Sequence, residues 1–190
     1  MPRRSPSPKP VLGQSQGVVT LTTGAARFFR DPSTANAFAA YEAKLEVRRL
    51  RASARGVTGP EREDWLAVSR FSALSSDEAA WAVEETARFK ADCDESLAVM
   101  SAGLRDAAVD LAAALGKLSD PAACQSLLAA AKARALDVER LHRKARSAAH
   151  ESANVVSGLK SKEVAKRLSQ AAEALQQAAD RIAEILGVRA

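Results

Sequence analysis

The sequence predicts an all-α protein: a long antiparallel helical hairpin or coiled-coil-like bundle with extra N-terminal helices and a disordered basic tail. Alanine supplies 42 of the 190 residues, whereas aromatic residues make up only 4%. Sandwiches and barrels need many Val, Ile, Thr and aromatic residues on short strands, so this composition argues against them. Leucine also recurs at seven-residue spacing, which is typical of helices that pack along a seam. Two Cys and two His are too few for a disulfide framework or a closed zinc site.

Charge is divided unevenly along the chain. Residues 1–60 hold 10 Lys and Arg against 3 Asp and Glu, residues 61–120 hold 6 against 13, and residues 121–190 hold 12 against 7. We expect the acidic middle to align against a basic arm of the hairpin through exposed ion pairs, each worth a few tenths of a kcal/mol. All eight aromatic residues precede residue 90, so the later core must consist of Ala, Leu, Val and Ile.

Four regions are predicted: a disordered basic tail over 1–34, N-terminal helices over 35–74, a long helical hairpin over 75–159 and a C-terminal helix over 160–190. The tail is predicted because residues 1–17 combine prolines with Ser, Gln and Gly, and too few apolar side chains to offset the entropy of ordering. Residues 18–21 are β-prone but long enough only for a tether or an edge strand. The absence of acidic residues before residue 31 also allows a transit peptide, although the prolines disfavour its amphipathic helix.

The two N-terminal helices have separate start signals. Asp31-Pro32-Ser33 combines a capping side chain with a proline suited to a first turn. The helix after it is predicted to run to about Arg55, and its apolar face is predicted to consist of Phe38, Tyr41, Leu45 and Val47 or Arg48. A short second helix opens at Pro60, and its apolar stripe consists of Trp65, Val68 and Phe71 or Ser72.

The hairpin is predicted from two long stretches without a helix breaker. The signature Ser75-Ser76-Asp77-Glu78 opens the first arm, which continues to Ser119-Asp120-Pro121 and is about 65 Å long at 1.5 Å per residue. Pro121 opens the second arm, and a kink or short break is expected between Gly158 and Lys162. Helices joined by so short a turn must lie antiparallel.

The apolar seam of these helices is the candidate functional surface. Because it is rich in alanine, each layer buries little area, and we expect the hairpin to need a second chain or a surface as partner. The candidate residues of this apolar surface or oligomer seam are Leu97, Leu104, Leu111, Leu115, Leu118, Leu127, Val138, Leu141, Leu168, Leu175 and Ile182.

Three other patterns are interpreted as carrying no chemistry. Residues 13–17 match the GxSxG pattern of hydrolase elbows but lack the strand and helix that lift such a serine above a sheet. Glu139 and His142 form a single Glu-x-x-His element, whereas a di-iron site needs two with two further Glu. Cys93 and Cys124 are offset by roughly 30 Å along the predicted hairpin, too far for a disulfide. Both cysteines are expected to be small buried or half-buried hydrophobes.

The basic residues near the end of the second arm allow two interpretations. Arg140, Arg143, Lys144 and Arg146, with His142 and His150, are favoured as a solvated face that pairs with the acidic arm. Contacts to phosphates or acidic groups are the alternative. Since no aromatic residue interleaves the cluster, nucleic acid is expected to bind at most weakly and non-specifically, through Arg3, Arg4 and Lys9 of the tail.

The segment from Ser75 to Val156 resembles the phasins, small helical proteins that coat polyhydroxyalkanoate granules in bacteria. The resemblance is carried by a Leu/Ala helix (SLAVMSAGLRDAAVDLAAALGKL), an SDP break and a second helix (QSLLAAAKARALDVERLHRKARSAAHESA). It implies a non-enzymatic amphiphilic granule coat that self-associates at the polyester surface in the cytoplasm. It implies no cofactor.

Two alternatives remain open. One is a coiled-coil adaptor, scaffold or secretion chaperone whose seam closes on another protein, and the other is a self-contained bundle whose leucines are core. No catalytic residue, cofactor site or metal site is predicted. The sequence shows no pair of titratable groups so placed that their surroundings would shift their pKa values as in an active site. No apolar run approaches the roughly 20 residues of a membrane span.

Overall fold

A computed structural model describes residues 9–151 and 155–187, and in these two stretches it contains six helices and no strand. The prediction of an all-α fold is therefore confirmed. The helices are α1 (Lys9–Arg30), α2 (Thr34–Ala54), α3 (Arg62–Phe89), α4 (Glu95–Leu115), α5 (Pro121–Glu151) and α6 (Val155–Leu186).

The helices pack as two three-helix halves, α1–α3 and α4–α6. Helix α2 lies against α1 and α3, and α5 lies against α4 and α6, while contacts between α3 and α6 and between α1 and α4 join the halves. Arg167 of α6 contacts Glu85 near the end of α3, and Arg181 contacts Asp64 near its beginning, so α3 and α6 run antiparallel. The C-terminal part of α5 and the first turns of α6 therefore lie at the same end of the bundle as the α3–α4 connection.

The prediction of a disordered tail over residues 1–34 is wrong for most of its length, because Lys9–Arg30 forms α1. Val11, Val18, Leu21 and Phe29 recur at helical spacing and are fully or almost fully buried, and this burial offsets the entropy of ordering. Residues 18–21 are helical as well, so neither a tether nor an edge strand exists there. Arg3 and Arg4, which were expected with Lys9 to contact nucleic acid weakly, lie outside the described residues.

Helix α2 begins and ends close to the predicted residues but buries a different face. Ser33 caps its N-terminus by accepting a hydrogen bond from the amide of Asn36 at 3.3 Å. Of the predicted apolar residues, Val47 is buried together with Ala40 and Ala43, whereas Phe38, Tyr41 and Leu45 are exposed. The small side chains face inward because they let α2 approach its neighbours closely.

The predicted hairpin arm from Ser75 to Leu118 is not one helix. Helix α3 passes without interruption through Ser75 and Ser76, so these residues do not mark a helix start. Both side chains are buried. It ends at Lys90, whose φ of 48° is left-handed, and Asp94 caps α4 by accepting from the amide of Leu97 at 2.8 Å. The first arm is thus divided between α3 and α4.

The C-terminal half agrees better with the predicted boundaries. Pro121 begins α5, as the sequence indicates, and Gly187, with a φ of 65°, follows the end of α6. Gly158 and Lys162 lie inside α6, so the break predicted between them is wrong.

Candidate functional site

The predicted seam residues form the interior of the single chain. Eight of them are buried: Leu97, Leu104, Leu111, Leu115, Val138, Leu168, Leu175 and Ile182. Leu118, Leu127 and Leu141 are partly buried and pack against the same core. The seam needs no outside partner to be covered, because α1 lies against α4, and α6 lies against both α4 and α5. The sequence analysis left α1 out of the fold and so left the seam without this cover.

The two motifs that resemble catalytic or metal sites, residues 13–17 and Glu139 with His142, lie where their residues have structural roles. Residues 13–17 lie within α1, and Ser15 is buried there, so the strand-to-helix turn of a hydrolase elbow is missing. Glu139 accepts a hydrogen bond from Gln176 at 2.6 Å, which ties α5 to α6. Within the described ranges, no group of three or more His, Cys, Asp and Glu is placed to hold a metal ion.

Both cysteines are free thiols, as expected. Cys124 is buried, and its Sγ donates to the carbonyl of Ala114 at 3.4 Å. Cys93 is half-buried in the α3–α4 connection. Burial raises the pKa of each thiol, and neighbouring carboxylates add to the effect, from Asp120 beside Cys124 and from Asp94 and Asp92 beside Cys93. Thiols with raised pKa values are poor nucleophiles at neutral pH.

A cluster of cations lines a cleft between α5 and α6, and we call it the basic cleft. Its lining residues are His142, Arg146, Lys162, Glu163 and Lys166, and its volume is about 440 Å³. His142 and Arg146 are four residues apart on α5, and Lys162 and Lys166 are four residues apart on α6. Each pair therefore lies on one face of its helix, and the antiparallel packing of the helices brings the two faces together.

The basic cleft has a positive electrostatic environment. Partial burial lowers the pKa of His142, and the charges of Arg146, Lys162 and Lys166 lower it further. Glu139 opposes this shift but does not reverse it. His142 is therefore held in its neutral form to a lower pH than a histidine in water.

A second cleft adjoins the first. It has a volume of about 460 Å³, and Lys162 lines both spaces. It also contains two carboxylates with structural partners: Asp92 accepts from Ser157 at 2.8 Å, and Asp94 caps α4. The balance of charge there is closer to neutral than in the basic cleft.

A second group of charged side chains surrounds Trp81, which is partly exposed on α3. Lys44 of α2 lies 5.6 Å from the ring centroid, and Arg167 of α6 lies 5.2 Å from it. Lys44 also pairs with Glu84 at 2.9 Å, and its side chain is only 5% exposed. The two cations thus connect three helices through one aromatic ring.

Arg167 is held by two carboxylates of α3. Its guanidinium contacts Glu78 and Glu85, each at 3.1 Å. Partial burial by itself lowers the pKa of Arg167, but the hydrogen bonds and charges of the two glutamates outweigh it and raise the pKa. Because both of its cations, Lys44 and Arg167, are paired with carboxylates, the group around Trp81 is best explained as a structural connection between helices.

The structure divides the basic residues that the sequence singled out. Arg140 pairs with Asp137 of its own helix at 2.7 Å, and not with the acidic middle of the chain. Arg146 and His142 line the basic cleft, Lys144 lines the adjoining one, and the side chain of His150 lies outside the described residues. The sequence analysis missed Lys162 and Lys166. Their four-residue spacing was visible, but only the register of α6 against α5 shows what they face.

Among the residues that the structure describes, none of the helices combines the length and the apolar character required to cross a bilayer.

The fold defines the class of protein: an all-helical bundle of two three-helix halves, which are joined in part by the antiparallel helices α3 and α6. Neither a protein-family model nor a curated protein matches the sequence. Two crystal structures from Shewanella oneidensis MR-1 share the fold. One is a PhoU-like protein, with a TM-score of 0.76 and 16% identity over 96% of this chain and 99% of that chain. The other is a PhoU-like phosphate regulatory protein, with a TM-score of 0.75 and 17% identity over the same shares.

The resemblance to phasins is therefore wrong, and so is the interpretation as a granule coat. These two structures are of PhoU-like proteins, and each match covers nearly the whole length of both chains. The Leu/Ala helices that carried the resemblance are a general property of closely packed helical bundles. In this chain their apolar faces are already covered by α1 and α6.

Proposed function

We propose that this chain is a PhoU-like regulatory adaptor, a cytoplasmic protein without catalytic activity that acts in the phosphate response by binding another protein. The observation that carries the proposal is the fold shared with a PhoU-like phosphate regulatory protein over 96% of this chain and 99% of the other. The adaptor was the alternative interpretation of the sequence. The lack of a poised pair of titratable groups in the sequence supports the non-catalytic part of the proposal.

The test is deletion of the gene, with phosphate uptake and a phosphate-responsive reporter measured in rich and poor phosphate. We expect the deletion to alter the response and wild-type protein to restore it. Two variants sharpen the test. Val109→Glu places a charge on an exposed position and should still complement, whereas Leu104→Glu buries a charge in the core and should fail. An unchanged phosphate response in the deletion strain would overturn the proposal.

Self-association stays a prediction from the sequence. A single chain has a mass of 20.1 kDa, so light scattering on the purified protein separates a monomer from a homo-oligomer.

A further inference from the structure

The basic cleft holds more positive charge than the described side chains around it neutralise. Arg146, Lys162 and Lys166 are cationic side chains that line the cleft, and the acidic Glu163 lines it as well. Glu163 accepts a hydrogen bond from Lys166 at 3.2 Å, so its charge is already engaged. Among the side chains that the structure describes, none pairs with Arg146 or Lys162. The cleft therefore keeps a net positive charge.

The cations nearer the beginning of α5, in contrast, are paired with neighbouring helices. Arg134 of α5 contacts Asp110 of α4 at 2.6 Å, and Lys132 of α5 contacts Asp180 of α6 at 2.7 Å. Along α5, pairing with neighbouring helices thus gives way to unpaired charge toward the C-terminal end. Net charge spread over the whole surface would not produce this difference.

The arrangement is unfavourable for the folded chain unless an anion joins it. Lys162 and Lys166 lie four residues apart on α6 and repel each other, and the packing of α5 against α6 brings Arg146 to the same cleft. Arginine and lysine are the usual protein partners of phosphate oxygens, and arginine contacts them through a planar fork of donors. A volume of about 440 Å³ lies in the range of small-ligand sites and exceeds the needs of a single ion.

We infer that the basic cleft binds a small soluble anion with two or more phosphate groups, held by Arg146, Lys162 and Lys166. The inference deepens the proposed function and rests on it only for the choice of phosphate as the anion. The site is confined to the basic cleft, because Asp92 and Asp94 in the adjoining cleft would repel the ligand.

His142 is a reporter of the same site. It faces Arg146 on its own helix and Lys162 and Lys166 on α6, all of which lower its pKa, while Glu139 raises it. A bound anion offsets the three cations and favours the protonated imidazole, so its pKa must rise. By linkage, protonation of His142 strengthens the binding of an anion whose own charge is unchanged.

The direct test is calorimetric titration of the full chain with sodium pyrophosphate at about 0.15 M ionic strength, where weak surface attraction is largely screened. We expect one site per chain, and binding at least about tenfold weaker in Arg146→Gln with Lys162→Gln, because two charge-assisted contacts are lost. The matched control is Arg49→Gln with Lys117→Gln, which removes the same charge from exposed positions outside the cleft. It should leave the affinity within about twofold, as expected for a change in net charge alone. Circular dichroism should show that both double variants fold.

Several outcomes would overturn the inference. Equal weakening in the two double variants would show general charge attraction, and equal affinity for sulfate would show a site without preference for phosphate. Binding to vesicles of phosphatidylglycerol in phosphatidylcholine without binding of pyrophosphate would identify a lipid headgroup as the source of the anion. An NMR titration in which pyrophosphate leaves the pKa of His142 unchanged would place the ligand elsewhere.

Failure of the inference is distinguishable from failure of the proposed function. A chain that restores the phosphate response but does not bind pyrophosphate loses the inference alone. A chain that binds pyrophosphate in the basic cleft, in a strain whose phosphate response ignores the deletion, loses the proposed function alone.

Discussion

The two halves of the bundle differ in the residue types that they bury. Ten polar or charged residues are buried in α1–α3, whereas Ser101 is the only buried polar residue that the structure describes in α4–α6. The aromatic residues are also confined to the first half, where Trp65 and Phe29 are fully or almost fully buried. The second half fills its interior with leucine and alanine.

The difference teaches what specifies each half. Gln14 of α1 and Ser69 of α3 form a reciprocal buried pair, in which the Gln14 amide donates to the Ser69 carbonyl at 2.9 Å and the Ser69 hydroxyl donates to Gln14 at 2.6 Å. A slip of either helix would leave these groups buried without partners, so the pair fixes the register. In the second half, close packing plays this role: a Cβ added at Gly103 would lie 3.0 Å from Val138.

The largest effect is expected at the aromatic centre of the first half. Trp65 has no exposed surface, so Trp65→Ala should lower the free energy of unfolding by about 3–5 kcal/mol. Trp81→Ala is the matched control, because Trp81 is 37% exposed and its two cation contacts contribute about 1 kcal/mol or less each. Urea denaturation followed by circular dichroism measures both. Equal losses would mean that the first half does not depend on its buried aromatic residue.

In the second half the corresponding residue is Leu104. Leu104→Ala removes a fully buried side chain and should cost about 2–5 kcal/mol, with the cavity deciding the value. Val109→Ala, at a 43% exposed position on the same helix, should stay within about 0.5 kcal/mol of wild type. The same denaturation curves give both values. A small loss at Leu104 would show that the leucine core collapses around the cavity and is less well packed than its burial indicates.

This division explains which parts of the fold the sequence predicted. The beginning of α5 at Pro121 and the apolar seam of leucines could be predicted, because proline and heptad spacing are local signals. The cover of the seam could not, since the sequence was interpreted as leaving it to a second chain or a surface. Helix α1 could not be predicted either, since Gln14, Ser15 and Thr22 on its buried face resemble a polar tail until α3 supplies their surroundings. The basic cleft could be predicted only in part. Its α5 residues stood out in the sequence, but only the packing of α6 against α5 shows that Lys162 lies beside them.

A double-mutant cycle sharpens the comparison of the buried polar pair. Ser69→Ala removes a donor to buried Gln14 and should cost about 1–3 kcal/mol. Adding Gln14→Leu should cost less than the sum of the single changes, because the unpaired amide oxygen of Gln14 is then removed as well. Ser101→Ala is the control from the other half, and it should cost less since Ser101 donates only to Ala98 of its own helix. Additive losses would show that the pair does not couple α1 to α3.

The smallest effects are expected at the helix caps, where again each half supplies one. Asp94 accepts from the Leu97 amide at 2.8 Å, whereas Ser33 accepts from the Asn36 amide at a longer 3.3 Å. Asp94→Ala should therefore cost about 1 kcal/mol, and Ser33→Ala should fall nearer the lower end of the range of about 0.5–2 kcal/mol.

Asp94→Asn separates the charge of this cap from its hydrogen bond. The amide oxygen still caps α4, so most of the stability should remain, but the carboxylate that helps to raise the pKa of neighbouring Cys93 is gone. The Cys93 pKa should fall only part of the way to its ordinary value, because burial is the larger cause of the shift. Thiol reactivity measured against pH gives this change, with Cys124 as the internal reference. An unchanged Cys93 pKa would mean that the charge of Asp94 interacts with the amides at the start of α4 and has no effect on the thiol.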